Sequence, residues 1–377
     1  MSINRSIADL LRSHSTIPTA AAPGENLLIN GAFTVAQRGT SFAITPNASG
    51  RDHDYTLDRW ELDAYLVDSD YTVTRETLTP GTDEPYDHGF RHSLKVNCDV
   101  ADASPAGSDL LALAQKLEGQ NVQALAYGDA QAKASTVSFW HKHTKTGTHC
   151  VTVEISGGSK WTSKQYTQTT TNTWEFATVT ILADTATAPA SDTTARLTLF
   201  FGISAGPTIT SGAEGAWGTT NGNYFPGQVN NMDNTSNNFE VAGIKWEVGS
   251  EASSYIHEDY GTTLSKASRY YERLTPNTAT NQAIFQAYNV TSTVASGIFN
   301  YTHKRAAPTL TFTAGATFEV RHQTTTTVCT AAALSGSSDE DRCLCNFTVS
   351  SGLTGGQGCV IRRNDTDTTY IEVSAEL

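Results

Sequence analysis

Basic charge, closely paired cysteines and long apolar runs are all scarce in this chain. Its 377 residues hold 25 Lys and Arg against 38 Asp and Glu, a formal net charge of −13. A protein that tracks phosphates needs a basic face, so general nucleic-acid binding is excluded as a first reading. No stretch approaches the ~18 apolar residues that cross a bilayer, so no membrane insertion is expected. The opening MSINRSIADLLRSHSTIPTAAAPG lacks the apolar core of a secretory leader. Six cysteines, at 98, 150, 329, 343, 345 and 359, include the C-x-C of Cys343 and Cys345 but no second close pair to complete a zinc signature. The expectation is synthesis in a reducing cytoplasm, with disulfides among the last four cysteines only if the mature particle is extracellular.

Catalytic signatures are missing as well. There is no G-x-S-x-G elbow, P-loop, H-E-x-x-H or strand-linked G-x-G-x-x-G. Glycoside hydrolysis needs two carboxyl groups at a defined separation, and the sequence alone pairs none of its acids. The chain reads as a non-enzyme.

What is abundant is Thr, Ser, Gly and Asn, with charged residues at only 17%. That balance suits short strands joined by turns. NRSIADLLRS places Ile7, Leu10 and Leu11 at helical spacing, a short amphipathic helix followed by a TIPTAAAPG linker. Residues 1–25 are either a docking arm, with those three residues as its contacts, or a tail packed on its own domain. NLLINGAFTVAQRG reads as strand, Asn-Gly turn and strand. DRWELDAYLV, SDYTVTRETLT, HSLKVNCDV, ALAQKLEG, STVSFWHKH, THCVTVEIS, WEFATVTIL, ARLTLFFGI and FEVAGIKWEVG follow without intervening helices. The expected fold is all-β: a jelly-roll β-sandwich over 26–260. GTTLSKASRYYERL keeps Leu264, Ala267, Tyr271 and Leu274 at helical spacing with Thr262 or Thr263 as cap, a linker helix over 261–274. A second, smaller β-sandwich is expected over 275–377.

The order of motifs NLLINGAFTVAQRGTSF, YTLDRW, LAQKLEG, STVSFWHKH and WEFATVTI resembles the carbohydrate-binding-module-like jelly roll of bacteriophage tail-fibre and virion surface proteins. FEVAGIKWEVGSEASSYIHEDYGTTLSKASRYYERL is similar to the segment that closes that module, and HKRAAPTLTF with the terminal YIEVSAEL is similar to the β domain that often follows. The resemblance implies a virion structural protein on a fibre, spike or head surface, made in the bacterial host. It also implies a homo-oligomer, usually a trimer, with other capsid or tail proteins as partners. Two functions fit it: an adhesin for bacterial surface polysaccharide, or an architectural decoration or connector protein that binds no sugar.

Sugar rings stack their C–H faces on aromatic rings while amides and carboxylates meet the hydroxyls. The long loop at 206–238 offers Trp217, Tyr224 and Phe225 beside Asn221, Asn223, Asn230 and Asp233, and Trp161 lies near a hairpin tip. Trp217, Tyr224, Phe225, Asn223, Asp233 and Trp161 are therefore the carbohydrate-binding candidates. The competing reading, and the favoured one, is that Trp217 and Phe225 simply pin the loop to the sandwich. Trp60, Trp140, Trp174 and Trp246 lie within strands and read as sandwich core.

His141 and His143 face the same way on one strand, with His149 across the TKTG turn, a spacing that can chelate Zn²⁺ or Ni²⁺. No carboxylate or thiol completes four ligands, and the expectation is the solvated end of a strand. Jelly rolls of the resembled kind often carry a structural Ca²⁺. Asp58, Glu61 and Glu247 are acceptable oxygen ligands, but no calcium site and no other cofactor is assigned.

Overall fold

The computed structural model describes residues 24–155, 160–275, 281–364 and 369–377. The expected helical arm with Ile7, Leu10 and Leu11 lies outside the described residues. The chain divides into two units, the first ending at Glu258 and the second running from Asp259 to Leu377.

The first unit is a jelly roll of two six-stranded sheets. Its strands are β1 (Ser41–Ile44), β2 (Arg51–Tyr55), β3 (Glu61–Tyr65), β4 (Tyr71–Thr77), β5 (His92–Cys98), β6 (Leu110–Glu118), β7 (Ser135–His143), β8 (Gly147–Ile155), β9 (Lys160–Gln168), β10 (Glu175–Ile181), β11 (Ala195–Ala205) and β12 (Asn238–Val248). One sheet runs β1-β4-β5-β12-β7-β10 and the other β2-β3-β6-β11-β8-β9, with antiparallel neighbours. Successive side chains on a strand face opposite ways, and here the outer faces carry apolar clusters of their own beside polar residues. Leu111, Leu113, Phe139, Leu199, Phe201 and Trp246 fill the space between the sheets. Their strand neighbours Leu110, Ala112 and Phe200 lie on the far side of the second sheet, under the 206–237 loop with its single helical turn α1 of this segment (Pro207–Thr210). Trp140 and Ala242 lie on the far side of the first, under Leu78, Phe90 and Trp174. Trp60 and Trp246 are thus core as expected. Trp140 and Trp174, read from sequence as sandwich core, are buried outside the sandwich, because alternation with Phe139 turns Trp140 to the opposite face.

The NLLINGAF segment differs from the expected hairpin. It forms no strand in the structure. Asn30 sits at φ 61°, and its buried side chain donates to the carbonyls of Val35 and Asp58 at 2.9 and 3.0 Å and accepts from Val35 N–H. The flanking residues bond singly to different elements: Leu27 N–H to Trp246 O, and Ile29 N–H to the Gln115 side chain. A Cβ at Gly31 would lie 2.0 Å from the Ile244 carbonyl. The segment is wedged against β12 and β6 rather than paired along its length, which leaves no room for a second hairpin strand.

The second unit opens with helix α2 (Tyr260–Ser268), capped by Asp259, whose carboxylate accepts from Thr262 N–H at 3.0 Å. The expected helix over 261–274 is shorter by its last turn. Residues Tyr271–Leu274 form β13, paired with the C-terminal strand Ile371–Ser374. Two contacts end the helix: the buried Lys304 ammonium takes the Ser268 carbonyl, and Ala375 N–H bonds Tyr270 O. Tyr271 then hides its ring and donates to Glu372 at 2.7 Å.

The remaining strands are β14 (Ala283–Asn289), β15 (Val294–Asn300), β16 (Thr309–Phe312), β17 (Phe318–His322), β18 (Thr325–Ser338), β19 (Arg342–Val349), β20 (Gly358–Arg363) and β21 (Ile371–Ser374). The smaller β unit expected here is present, and its main sheet is closed on itself. β14-β15-β19-β18-β17-β20 forms a barrel, beside a three-stranded sheet β13-β21-β16. Phe299, Phe318, Phe347 and Ile361 fill the core with Cys329, Cys343, Cys345 and Cys359 as free thiols.

Lys304 is fully buried and reaches the Glu272 carboxylate at 3.1 Å, so its removal takes the cation from the Ser268 carbonyl and from a carboxylate left with Thr302 N–H. Breaking a buried pair costs about 3 kcal/mol or more. All six tryptophans lie in the first unit. Lys304→Ala should therefore lower the denaturant midpoint read by far-UV circular dichroism and leave the tryptophan-emission midpoint unchanged.

Candidate functional site

A cleft of about 240 Å³ opens on the outer face of the second sheet. Five strands supply its floor and walls: Arg51 from β2, Tyr65 from β3, Leu110 from β6, Glu154 from β8 and Trp161 from β9. The covering loop supplies Asn221 and Tyr224. Register explains the grouping, since Arg51 lies opposite Tyr65 and Glu154 opposite Trp161.

Arg51, Glu154 and the Tyr224 hydroxyl are held by the protein. Arg51 forks onto the buried Asp63, with Nε donating to Oδ1 at 2.7 Å, and that bond holds the guanidinium protonated. The Tyr224 hydroxyl donates to Glu154 Oε2 at 2.6 Å. Burial, with Glu154 beside it, keeps the phenol far above its ordinary titration range. Trp161 and Tyr224 meet edge to face at 5.0 Å. Tyr65 is 37% exposed, whereas Trp161 is 9% exposed and its indole N–H has no acceptor among the described residues. A buried donor without an acceptor is uncommon in folded chains and marks a place where water or a ligand group fits.

The loop reaches this position because it is fastened to the edge of the sheet. Trp161 and Gly218 exchange both backbone hydrogen bonds at 2.9 Å. Gly215 N–H donates to Ser163 O, and Glu214 accepts from Gln165 N–H. Thr152 and Ser163 hydroxyls donate to the Tyr224 carbonyl. Phe225 is fully buried against Phe200 and anchors the loop.

Of the candidates chosen from sequence, Trp161 and Tyr224 line the cleft. Asn223 accepts from Ala213 N–H inside the loop at 2.9 Å. Trp217 is half-buried edge-on against Tyr127, its indole N–H donating to Leu182 O at 2.8 Å. Asp233 pairs with Lys145 and accepts from Asn237 at 2.6 Å, away from the cleft lining. Sequence reasoning missed Arg51, Tyr65 and Glu154. Each occupies an outward position on an alternating strand, and only the pairing order shows that these positions converge.

The histidines overturn the expectation of a solvated strand end. His141, His143 and His149 are all buried, with neighbouring ring centroids 5.3 and 4.5 Å apart. Their nitrogens are used by the protein. His141 Nδ1 bonds Gln168 Oε1 at 2.8 Å, and His143 Nε2 meets the Tyr166 hydroxyl at 3.0 Å while Nδ1 accepts from Glu240 N–H. His149 Nε2 donates to Lys145 O, and Nδ1 accepts from Gln228 and Asn231. Rings so engaged form a neutral polar network roofed by Phe239, stacked at 4.2 Å on His143.

The oxygen ligands considered for calcium are likewise engaged. Asp58 accepts from Gln37 N–H and Nε2 at 2.6 Å, Glu61 pairs with Lys116 at 2.9 Å, and Glu247 holds Lys245 and Ser253. His53, Glu61 and Asp63 lie within 4.8 Å of one another, but Lys116 and Arg51 already neutralise the two carboxylates. Burial opposes ionisation of Glu61, and His53 and Lys116 outweigh it. These residues do not fit a resident cation.

No protein family matches the chain, and no curated protein matches it. Among solved structures, the enzymatically active domain of bacteriophage CBA120 tailspike protein 4 is 14% identical at a TM-score of 0.30, over 59% of this chain and 21% of that one. TmCBM61 in complex with beta-1,4-galactotriose is 10% identical at 0.27, over 59% of this chain and 99% of the module. A family 11 carbohydrate-binding module from Clostridium thermocellum, in complex with a beta-1,3-1,4-mixed-linked tetrasaccharide, is 10% identical at 0.27, over 57% and 98%. Likenesses at these scores carry no weight for ligand or role.

Two outcomes are expected. Burial holds His149 at about 4 and depresses His141 and His143 below their ordinary 6.5. The unfolded chain then binds more protons than the folded one between those values, so stability is full above pH 6.5 and falls as pH drops toward 4. His149 alone accounts for about 3 kcal/mol; urea midpoints measured from pH 7.5 to 4.5 should fall steeply below 6.5. Because the candidate calcium ligands are saturated by protein donors, EDTA should leave the melting temperature of the calcium-treated protein unchanged.

Proposed function

We propose that the jelly roll is a saccharide-binding module whose site is the Arg51–Tyr65–Glu154–Trp161–Tyr224 cleft. The observation that carries the reading is a cleft that presents an exposed aromatic ring and a fixed guanidinium–carboxylate set beside a buried Trp161 N–H with no acceptor among the described residues. Tyr65 offers a face for the C–H groups of a pyranose. Arg51, Glu154 and Asn221 offer donors and acceptors at its rim, the combination that sugar hydroxyls need. The carboxylates are engaged by Arg51 and Tyr224, which favours holding a ligand over cutting it.

The order of sequence motifs supports a setting for this activity: the surface of a bacteriophage particle, with the protein as an oligomeric, trimeric spike or fibre component that attaches to bacterial surface polysaccharide. Its further partners would be the capsid or tail proteins that carry it.

Glu154→Gln keeps an acceptor for Tyr224, and Tyr65 is exposed, so both positions can be changed without emptying a core. The double variant Tyr65→Ala/Glu154→Gln should melt like the wild type and bind extracted bacterial surface polysaccharide at least tenfold more weakly, about 1.4 kcal/mol. Failure of the folded wild type to bind any such polysaccharide would replace this reading with that of an architectural virion protein.

A further inference from the structure

A second, larger hollow of about 520 Å³ lies on the outer face of the other sheet. Its floor is Trp140 on β7, and Phe176 stands beside it on the edge strand β10, ring centroids 5.2 Å apart. Phe176 is 54% exposed, the reverse of what a ring used only for packing would show. One wall is the extended segment that leaves the jelly roll, where Tyr255 packs edge-on against Phe90 at 4.8 Å. The other wall carries Glu84 and His88, whose ring meets Trp140 at 4.9 Å.

The hollow is a built feature of β12. The register of that strand shifts between Ala242 and Lys245, and Gly243 sits at φ 59° inside the irregularity. A Cβ there would lie 2.4 Å from the Phe90 ring, so glycine lets Phe90 rest on the sheet and form the wall. His257 bonds the His88 carbonyl at 3.0 Å and ties the two walls together.

Ser253 and His257 are engaged by the fold, but other polar groups of the hollow are left over. The Glu84 carboxylate, the His88 ring nitrogens and the Ser138 and Ser254 hydroxyls make no hydrogen bond with described residues, although they border the hollow. Hydroxyls, a carboxylate and an imidazole around exposed aromatic rings can both give and accept, which matches sugar hydroxyls around a C–H face. No Lys or Arg lines the hollow, and Glu84 stands at its edge, so an acidic sugar would meet uncompensated negative charge. The volume is within the range of ligand pockets.

We infer that this aromatic hollow is a second saccharide site, taking a neutral glycan, so that one jelly roll holds sugar on both outer faces. The inference rests on the reading of the chain as saccharide-binding, yet the two sites are separable because they share no residue. Two sites on one unit would raise avidity for a polymer without any new contact.

The test is an array of immobilised neutral and uronate-containing bacterial polysaccharides, probed with the whole chain in four forms. These are the wild type, Phe176→Ser/Glu84→Ala, Tyr65→Ala/Glu154→Gln, and all four changes together. Phe176 and Glu84 are exposed, and equal melting temperatures would certify the fold of each form. Each double variant should keep binding to a neutral polysaccharide at least tenfold more weakly than wild type, and only the combined variant should lose it. Unchanged binding by Phe176→Ser/Glu84→Ala, with complete loss in the other double variant, would overturn the second site and leave the cleft intact. The opposite pattern would support the hollow and overturn the cleft, and no binding by the wild type would overturn both.

Discussion

Each sheet of the jelly roll carries apolar side chains on its outer face as well as its inner one, and much of what distinguishes this protein follows from the need to cover the outer ones. A strand with Leu111 and Leu113 inward and Leu110 and Ala112 outward cannot face water on either side without losing hydrophobic stabilisation. The 206–237 loop answers this for one sheet, and the Phe90, Trp174 and Tyr255 segments answer it for the other. Neither cover is complete. The cleft and the aromatic hollow lie where a cover stops, so each is walled by loop on one side and floored by strand. Rigid strands thereby set the spacing of Arg51, Tyr65, Glu154 and Trp161, while loops contribute the remaining groups.

The interior is less uniformly apolar than its strands suggest. Three neutral imidazoles with Gln168, Tyr166, Gln228 and Asn231 occupy one part of the sandwich, and Gln115 bonds both backbone groups of Ile29 elsewhere. Such groups are tolerated because their partners are supplied locally; left unmatched in a low-dielectric interior, each would be costly. They also fix register. Gln168 bonds both His141 and the backbone of His143, which ties β9 of one sheet to β7 of the other.

Fold class was the most legible property of the sequence. Runs such as STVSFWHKH and ARLTLFFGI alternate strongly enough to identify strands, and even the inward facing of Phe139, His141 and His143 follows from their spacing. What spacing could not convey was whether the end of β7 is roofed, which is why the histidines read as solvated. The linker helix was misjudged at its end for a similar reason: Tyr271 and Leu274 satisfy a helical repeat, but a C-terminal strand some hundred residues later offers Tyr271–Leu274 a better set of backbone partners. The cleft was half legible. Trp161 and Tyr224 stand out as aromatics amid glycine and asparagine, whereas Arg51, Tyr65 and Glu154 become neighbours only once β2-β3-β6-β11-β8-β9 is assembled.

The fastening of the loop to β9 has a consequence for how copies of this chain can meet. A strand at the border of a sheet normally offers a row of unused amides and carbonyls to any passing chain. Here Gly218 takes both backbone groups of Trp161, Gly215 takes the Ser163 carbonyl and Glu214 takes the Gln165 amide. The chain has in effect supplied its own foreign strand along this border. Assembly through that side must then proceed by side-chain contact rather than by zipping of backbones, and runaway stacking from it is disfavoured.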